Sequence, residues 1–155
     1  MKSCLILTGG KLNLAFARSF LEKEHFDKVI AVDGGLESAE ALGITPDYIV
    51  GDFDTVSGEV VERFRNLPFI VWEQHKPEKN ETDTELARSR ALTLGCEKLV
   101  FLGATGGRLD HMLGNLHALY ACLEKGIDAS LVDTQNRIYL LDQGKTFYRK
   151  TLWGK

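Results

Sequence analysis

Four short loops concentrate the residues that could do chemistry in this chain: Gly9-Gly10-Lys11, Asp33-Gly34-Gly35, Gly51-Asp52-Phe53-Asp54 and Gly103-Ala104-Thr105-Gly106-Gly107-Arg108. Asp52 and Asp54 flank one aromatic residue, and residues i and i+2 of an extended segment point the same way. Two carboxylates about 4 Å apart repel by about 4 kcal/mol at an effective dielectric of about 20. Keeping them together takes a proton, a cation or intervening solvent. Magnesium suits the place, because it prefers oxygen ligands and usually binds one or two carboxylates plus substrate phosphates. A turn aspartate beside a helix-cap aspartate is the plainer alternative. Asp83 supplies a third carboxylate in the first turn of a later helix, where the helix dipole alone would favour it. On one rim with Asp52 and Asp54, it becomes a candidate metal or substrate contact.

The loop at 103–108 is not a Walker A, since no Gly-Lys-Ser/Thr follows, and neither it nor Gly9-Gly10-Lys11 is a GxGxxG fingerprint. Its glycines still let backbone N–H groups approach phosphate oxygens, and the helix that follows favours anions at its start. Arg108 has the fork geometry to clamp a phosphate. Asp110 and His111, close behind it, strengthen a nucleotide reading over a plain turn. His25, His75 and His117 have no visible serine or cysteine nucleophile partner, which disfavours a hydrolytic triad.

These loops need elements to hold them. Apolar runs at 4–7, 28–32, 48–50, 69–72, 98–102, 129–132 and 138–141 read as strands. Between them, helical patterns run from an Asn13 cap to about Leu21, over 36–42 with Gly43 as the stop, around Val60, Val61 and Phe64, over 82–94, and over 110–125. Thr82 and Glu85 have capping-box spacing. Leu113, Leu116 and Leu119 are expected along the inner side of the last helix, and 73–81 as a loop. Alternating strands and helices imply an α/β fold of three layers, α/β/α, with a mostly parallel sheet. In such sheets, ligands bind beyond the carboxyl ends of the strands, so the fold places all four loops on one rim. The tail at 144–155 has little helical period and reads as the start of a further, β-rich element.

Length and composition set the outer limits. At 155 residues, with 44% hydrophobic and 26% charged residues, the chain is ordinary globular material for one main domain. Its net charge of −3 argues against a partner held by phosphate contacts, such as nucleic acid. The charge is unevenly spread: residues 27–54 hold seven acids and one lysine. Of these acids, Glu37, Glu40 and Asp47 read as a solvated face. Cys4, Cys96 and Cys122 are widely spaced without a C-x-x-C pair, so buried free thiols are expected rather than disulfides or a zinc site. The opening apolar run reaches Gly9 too soon for a signal peptide, and no run approaches the roughly 20 residues of a membrane span. A cytoplasmic protein away from the membrane is expected.

Asp33-Gly34-Gly35, Gly51-Asp52-Phe53-Asp54-Thr55, Glu81-Thr82-Asp83-Thr84-Glu85-Leu86-Ala87 and Thr105-Gly106-Gly107-Arg108-Leu109-Asp110-His111 resemble, in order and spacing, the bacterial thiamine pyrophosphokinases. The resemblance covers roughly residues 3–141. It implies transfer of a pyrophosphoryl group from ATP to the hydroxyl of thiamine, giving thiamine diphosphate and AMP. It further implies that Asp52, Asp54 and Asp83 hold Mg²⁺ against the phosphates. Asp33, Gly34, Thr82, Thr105, Gly106, Gly107, Arg108, Asp110 and His111 would then meet the nucleotide or substrate. Family members resemble a two-domain homodimer whose β-sandwich completes the thiamine pocket. By that likeness, 1–133 is the catalytic α/β domain and 134–155 the beginning of a truncated β-sandwich. Two other readings remain open: an Asp-x-Asp phosphatase of the haloacid dehalogenase type, and a nucleotide-binding domain without catalysis.

Overall fold

A computed structural model describes residues 1–54, 56–74 and 82–148. Its strands are β1 (Ser3–Leu7), β2 (Lys28–Val32), β3 (Tyr48–Gly51), β4 (Val71–Gln74), β5 (Lys98–Leu102), β6 (Asp128–Val132) and β7 (Arg137–Ile138). The helices are α1 (Leu14–Lys23), α2 (Gly35–Leu42), α3 (Gly58–Arg65), α4 (Asp83–Thr93) and α5 (Leu109–Glu124). The strands form one sheet in the order β4-β3-β2-β1-β5-β6-β7, parallel except where β7 returns antiparallel to β6. The three-layer α/β expectation holds.

Side-chain alternation builds the layers. Cys4 and Ile6 of β1, with Leu99 and Phe101 of β5, pack toward Ala87 and Ala91 of α4 and Leu119 and Cys122 of α5. Leu5, Leu7, Val100 and Leu102 point the other way, toward Ala17 of α1, Leu36 and Ala39 of α2, and Val60 and Phe64 of α3. Strands apolar on both faces are what a parallel sheet between two helix layers requires. All three cysteines are buried and unbridged, as expected.

The caps follow the sequence. The Asn13 side chain accepts from the Phe16 amide, Gly43 closes α2 in the left-handed region, and Thr82 and Glu85 complete a reciprocal capping box. Elsewhere the boundaries move. The strand expected at 69–72 forms instead at Val71–Gln74, paired with β3 from Tyr48↔Val71 onward, and Phe69 stands 91% exposed after Pro68. Of the expected strand at 138–141, only Ile138 pairs, because Leu131 and Val132 are the only β6 residues β7 meets. Leu113 lies 52% exposed, whereas Asn115, Ala118, Leu119 and Cys122 form the buried stripe of α5. A strict three-residue step turns about 300° and walks off one helix face, whereas the 3-4-3 spacing stays on it. Glu73 and Gln74 belong to β4; residues 75–81, the remainder of the expected loop, lie outside the described residues, as do 149–155 of the tail.

The chain runs outward from β1 to β4, then crosses back to β5 on the other side of β1. That reversal opens a crevice between the carboxyl ends of β1 and β5, the usual binding position in such sheets. Among the described residues, no helix is long and apolar enough to cross a membrane.

Candidate active site

The rim has two parts. The first lies at the ends of β2 and β3. Asp33 leaves β2 in the left-handed region at φ 47°, and its Oδ1 accepts the amides of Asp52 (3.0 Å) and Phe53 (3.4 Å). Gly51 makes this possible: at φ 139°, it has no Cβ to collide with that same Oδ1. Phe53 is also left-handed, at φ 64°, and its ring meets Trp72 edge-on at 5.3 Å. Asp52 Oδ1 accepts the Asp54 amide at 3.2 Å, and both aspartates are exposed. A non-glycine residue with positive φ costs about 1 kcal/mol or more and persists where surroundings enforce it.

Asp83, the first residue of α4, brings its carboxyl into hydrogen bond with that of Asp33. Burial first, then the hydrogen bond and charge of Asp83 and the charge of Asp52, together raise the Asp33 carboxyl to about 7 against the lowering pull of the Phe53 amide. Two carboxyls in hydrogen bond must share a proton. Among the described residues, no three Asp, Glu, His or Cys side chains, Asp52, Asp54 and Asp83 included, are gathered into a set that could hold a metal ion.

The second part lies at the ends of β1, β5 and β6. Gly10 N donates to Gly103 O at 2.9 Å, and Thr8 N to Leu102 O at 2.9 Å. A Cβ on Gly10 would run into the carbonyls of Gly103 and Gly106, so the two glycine loops pack backbone to backbone. A Cβ on Gly34 would sit 3.1 Å from the Gly9 Cα, which ties the two halves of the rim together. Beside these loops is a cavity of about 470 Å³, walled by Lys11, Phe16, Thr105, Gly106, Asp133 and Gln135 among others.

The residues expected from sequence divide accordingly. Asp33, Asp52 and Asp83 come together, Thr82 caps the helix that delivers Asp83, and Gly34 packs at the junction. Thr105 and Gly106 reach the cavity, whereas Gly107, Arg108, Asp110 and His111 do not line it and are exposed. Arg108 is held by its neighbour: Nε and Nη2 donate to the two oxygens of Asp110 at 3.0 and 2.5 Å. The guanidinium holds the Asp110 carboxyl below the usual carboxylate range. Sequence reasoning missed Asn115, whose buried side chain donates to Ala104 O at 2.9 Å, and Asp133, which accepts from Thr105 Oγ1 at 2.7 Å. Asp133 directly follows a strand on the same rim, the signal that singled out Asp52. Asn115 is one polar residue inside an apolar stripe, and a pattern does not reveal its partner.

A doubly wound parallel sheet with an acidic strand-end cluster beside a glycine-walled crevice is the arrangement of a ligand-binding α/β domain. The family model described as "Thiamin pyrophosphokinase, catalytic domain" matches residues 21–131. A thiamine pyrophosphokinase of Bacillus subtilis is 33% identical over 145 residues, covering 94% of this chain and 67% of that protein. Thiamine pyrophosphokinase 1 of Arabidopsis thaliana is 35% identical over 117 residues, 63% of this chain and 44% of the relative. The crystal structure of the Bacillus subtilis enzyme superposes with a TM-score of 0.76 at 32% identity, over 89% of this chain and 64% of that one. The chain belongs to the thiamin pyrophosphokinase catalytic-domain family, and it spans about two thirds of the Bacillus subtilis relative. The phosphatase and sensor readings find no support in these relationships.

Proposed function

We propose that this chain is the catalytic part of a thiamine pyrophosphokinase, moving the pyrophosphoryl group of ATP to the hydroxyl of thiamine with release of AMP. The observation that carries the reading is the Asp33–Asp83 carboxyl pair with Asp52 beside it, next to a crevice at the reversal of strand order. Two acids sharing a proton, with the charge of Asp52 near them, leave a rim short of positive charge, and a divalent cation with polyphosphate is ligand chemistry that would relieve it.

Carboxylate oxygens are the donors Mg²⁺ prefers, and one or two of them suffice where phosphates complete the shell. Asp52, Asp54 and Asp83 would hold the ion, and phosphate oxygens and water would complete its shell, since Mg²⁺ seldom takes an all-protein cage. Bound there, the ion neutralises phosphate charge and polarises the group being transferred. The protein's own contribution is positioning. The Asp33 carboxylate fixes the turn that bears Asp52, the Thr82 cap fixes the start of α4 and so Asp83, and the glycine loops, bonded to each other through Gly10 N and Gly103 O, fix the wall of the crevice. A phosphoryl transfer of this kind needs no covalent nucleophile.

The same reading extends to the rest of the picture. Residues 1–133 act as the ATP- and Mg²⁺-binding domain, residues 134–155 lead into a β-rich part that completes the thiamine pocket, and two copies pair through it. The protein works in the cytoplasm on small molecules. Thiamine-dependent formation of AMP from ATP tests the activity directly. Phosphate release without thiamine would favour the phosphatase instead, and tight ATP binding without turnover the sensor.

A further inference from the structure

The wall of the cavity is held from two sides. Thr105 stands three residues beyond β5 and Asp133 one residue beyond β6, on strands paired at Leu102↔Val132. Thr105 Oγ1 donates to Asp133 Oδ2 at 2.7 Å. The same carboxylate accepts from the amides of Gln135 (2.8 Å) and Asn136 (2.6 Å) and from Asn136 Nδ2 at 3.0 and 3.1 Å. Burial works against its charge, but these bonds, that of Thr105 first, hold the carboxyl below the usual range. From the opposite side, Asn115 grips the Ala104 carbonyl. The loop between β5 and α5 is therefore pinned at two successive residues.

We infer that Asp133 is a positioning residue: by fixing Thr105, which the pyrophosphokinase reading already sets against the nucleotide, it orients the cavity wall that grips the nucleoside end of ATP. The inference rests on the pyrophosphokinase reading. Its chemistry is that of the Thr105 hydroxyl. With its hydrogen committed to Asp133, Oγ1 can only accept toward a ligand. An accept-only oxygen backed by a carboxylate repels phosphate oxygens and suits a donor, such as a sugar hydroxyl or an exocyclic amine. Phe16 offers an apolar surface to a base, Lys11 lies on the wall as a cation, and the volume falls within the range of small-molecule sites. Asp133 already receives donors on both oxygens, so it acts through Thr105 rather than on the ligand.

Titration calorimetry on the full 155-residue chain, with MgADP, magnesium pyrophosphate and thiamine as separate probes, tests this. Losing a charge-assisted hydrogen bond at a binding wall should weaken MgADP about tenfold in Asp133→Ala and in Thr105→Val. Because both act through one bond, the double variant should weaken it no further than about tenfold. Magnesium pyrophosphate affinity should stay unchanged, and Thr105→Ser should restore MgADP binding. Asp133→Asn, which keeps an acceptor of the same shape, guards against misfolding and should lose less than Asp133→Ala. Additive losses, an equal loss for pyrophosphate, or a loss confined to thiamine would overturn the inference. Wild-type AMP formation is measured alongside: turnover with unchanged MgADP binding in the variants sinks the clamp alone. Absent turnover with the selective MgADP loss sinks only the pyrophosphokinase reading, and no MgADP binding by the wild type sinks both.

Discussion

The two halves of the rim are built on opposite principles. Around β5 and β6 the supports are paired: Gly10, Gly103 and Gly106 packed backbone to backbone, Asn115 and Asp133 with hydrogen bonds made, and a cavity already open. Around β2 and β3 the protein stores cost: two non-glycine residues at positive φ, and two carboxyls in hydrogen bond with the charge of Asp52 near them. A satisfied wall suits a ligand that must be oriented before reaction. A frustrated one suits a ligand that brings its own charge, because a cation with polyphosphate would recover the energy held there.

The comparison breaks most sharply at Asp52. Asp52→Asn removes one of the rim's negative charges but keeps an oxygen able to accept the Asp54 amide. Magnesium-dependent AMP formation should fall on the order of a thousandfold while thermal unfolding stays nearly unchanged. Near-normal turnover would mean that the acidic half does not handle the metal. In the satisfied half the expected effect is on stability. Gly10→Ala drives a Cβ into the Gly103 and Gly106 carbonyls, backbone atoms that cannot swing aside, and should cost about 3 kcal/mol in denaturant unfolding. If the variant is as stable as the parent, the loops are not closely packed.

The same contrast explains what was legible in advance. The acidic half could be read because its residue types are unusual where they stand: Asp-x-Asp after an apolar strand has few explanations. Asp33 was readable as a rim residue, but its service as an acceptor for the Asp52 amide depends on backbone angles that no pattern encodes. The satisfied half was legible only through its glycines. Its other supports are an asparagine and an aspartate whose partners lie 11 and 28 residues away. Glu37, Glu40 and Asp47, expected as a solvated face, remain at least partly exposed, but their partners were hidden for the same reason. Glu37 accepts the Ser57 amide at 2.9 Å, Asp47 accepts the Val29 amide at 2.8 Å, and Glu40 pairs with Arg63, so these acids stitch loops rather than merely face water. Core elements, by contrast, were readable almost to the residue at β2 and β5, where apolar runs meet clear stops. Errors gathered at the sheet edges, β4 and β7, where fewer neighbours enforce a register.

A smaller effect comes from pH. In the metal-free protein Asp33 binds its proton more tightly when folded, with its carboxyl at about 7, than an unfolded aspartate near 4. The folded state therefore holds the extra proton between those values. Its stabilising contribution is complete below about pH 4 and is lost as pH rises toward 7. Because the group is only half-buried, solvent screening reduces the effect to about 1 kcal/mol. Asp33→Asn should flatten that part of the stability profile, and Mg²⁺ should restore stability to the parent above pH 7. A parent that instead gains stability across this interval without metal would show that the pair does not share a proton.

The smallest effect separates clamp from ornament at Arg108. In this structure its guanidinium is spent on Asp110, and exposed ion pairs add little to stability, so Arg108→Ala should leave the unfolding midpoint almost unmoved. If the guanidinium leaves Asp110 to meet phosphate, the pair is a competitor for the ligand. Arg108→Ala should then weaken magnesium pyrophosphate a few-fold, whereas Asp110→Asn, which loosens the competing grip, should tighten it by a similar factor. Opposite signs from two residues in one ion pair cannot come from general damage to the loop. Equal weakening would mean instead that the pair acts as a unit, shaping the loop between β5 and α5, and would add Arg108 to the fixed half of the rim.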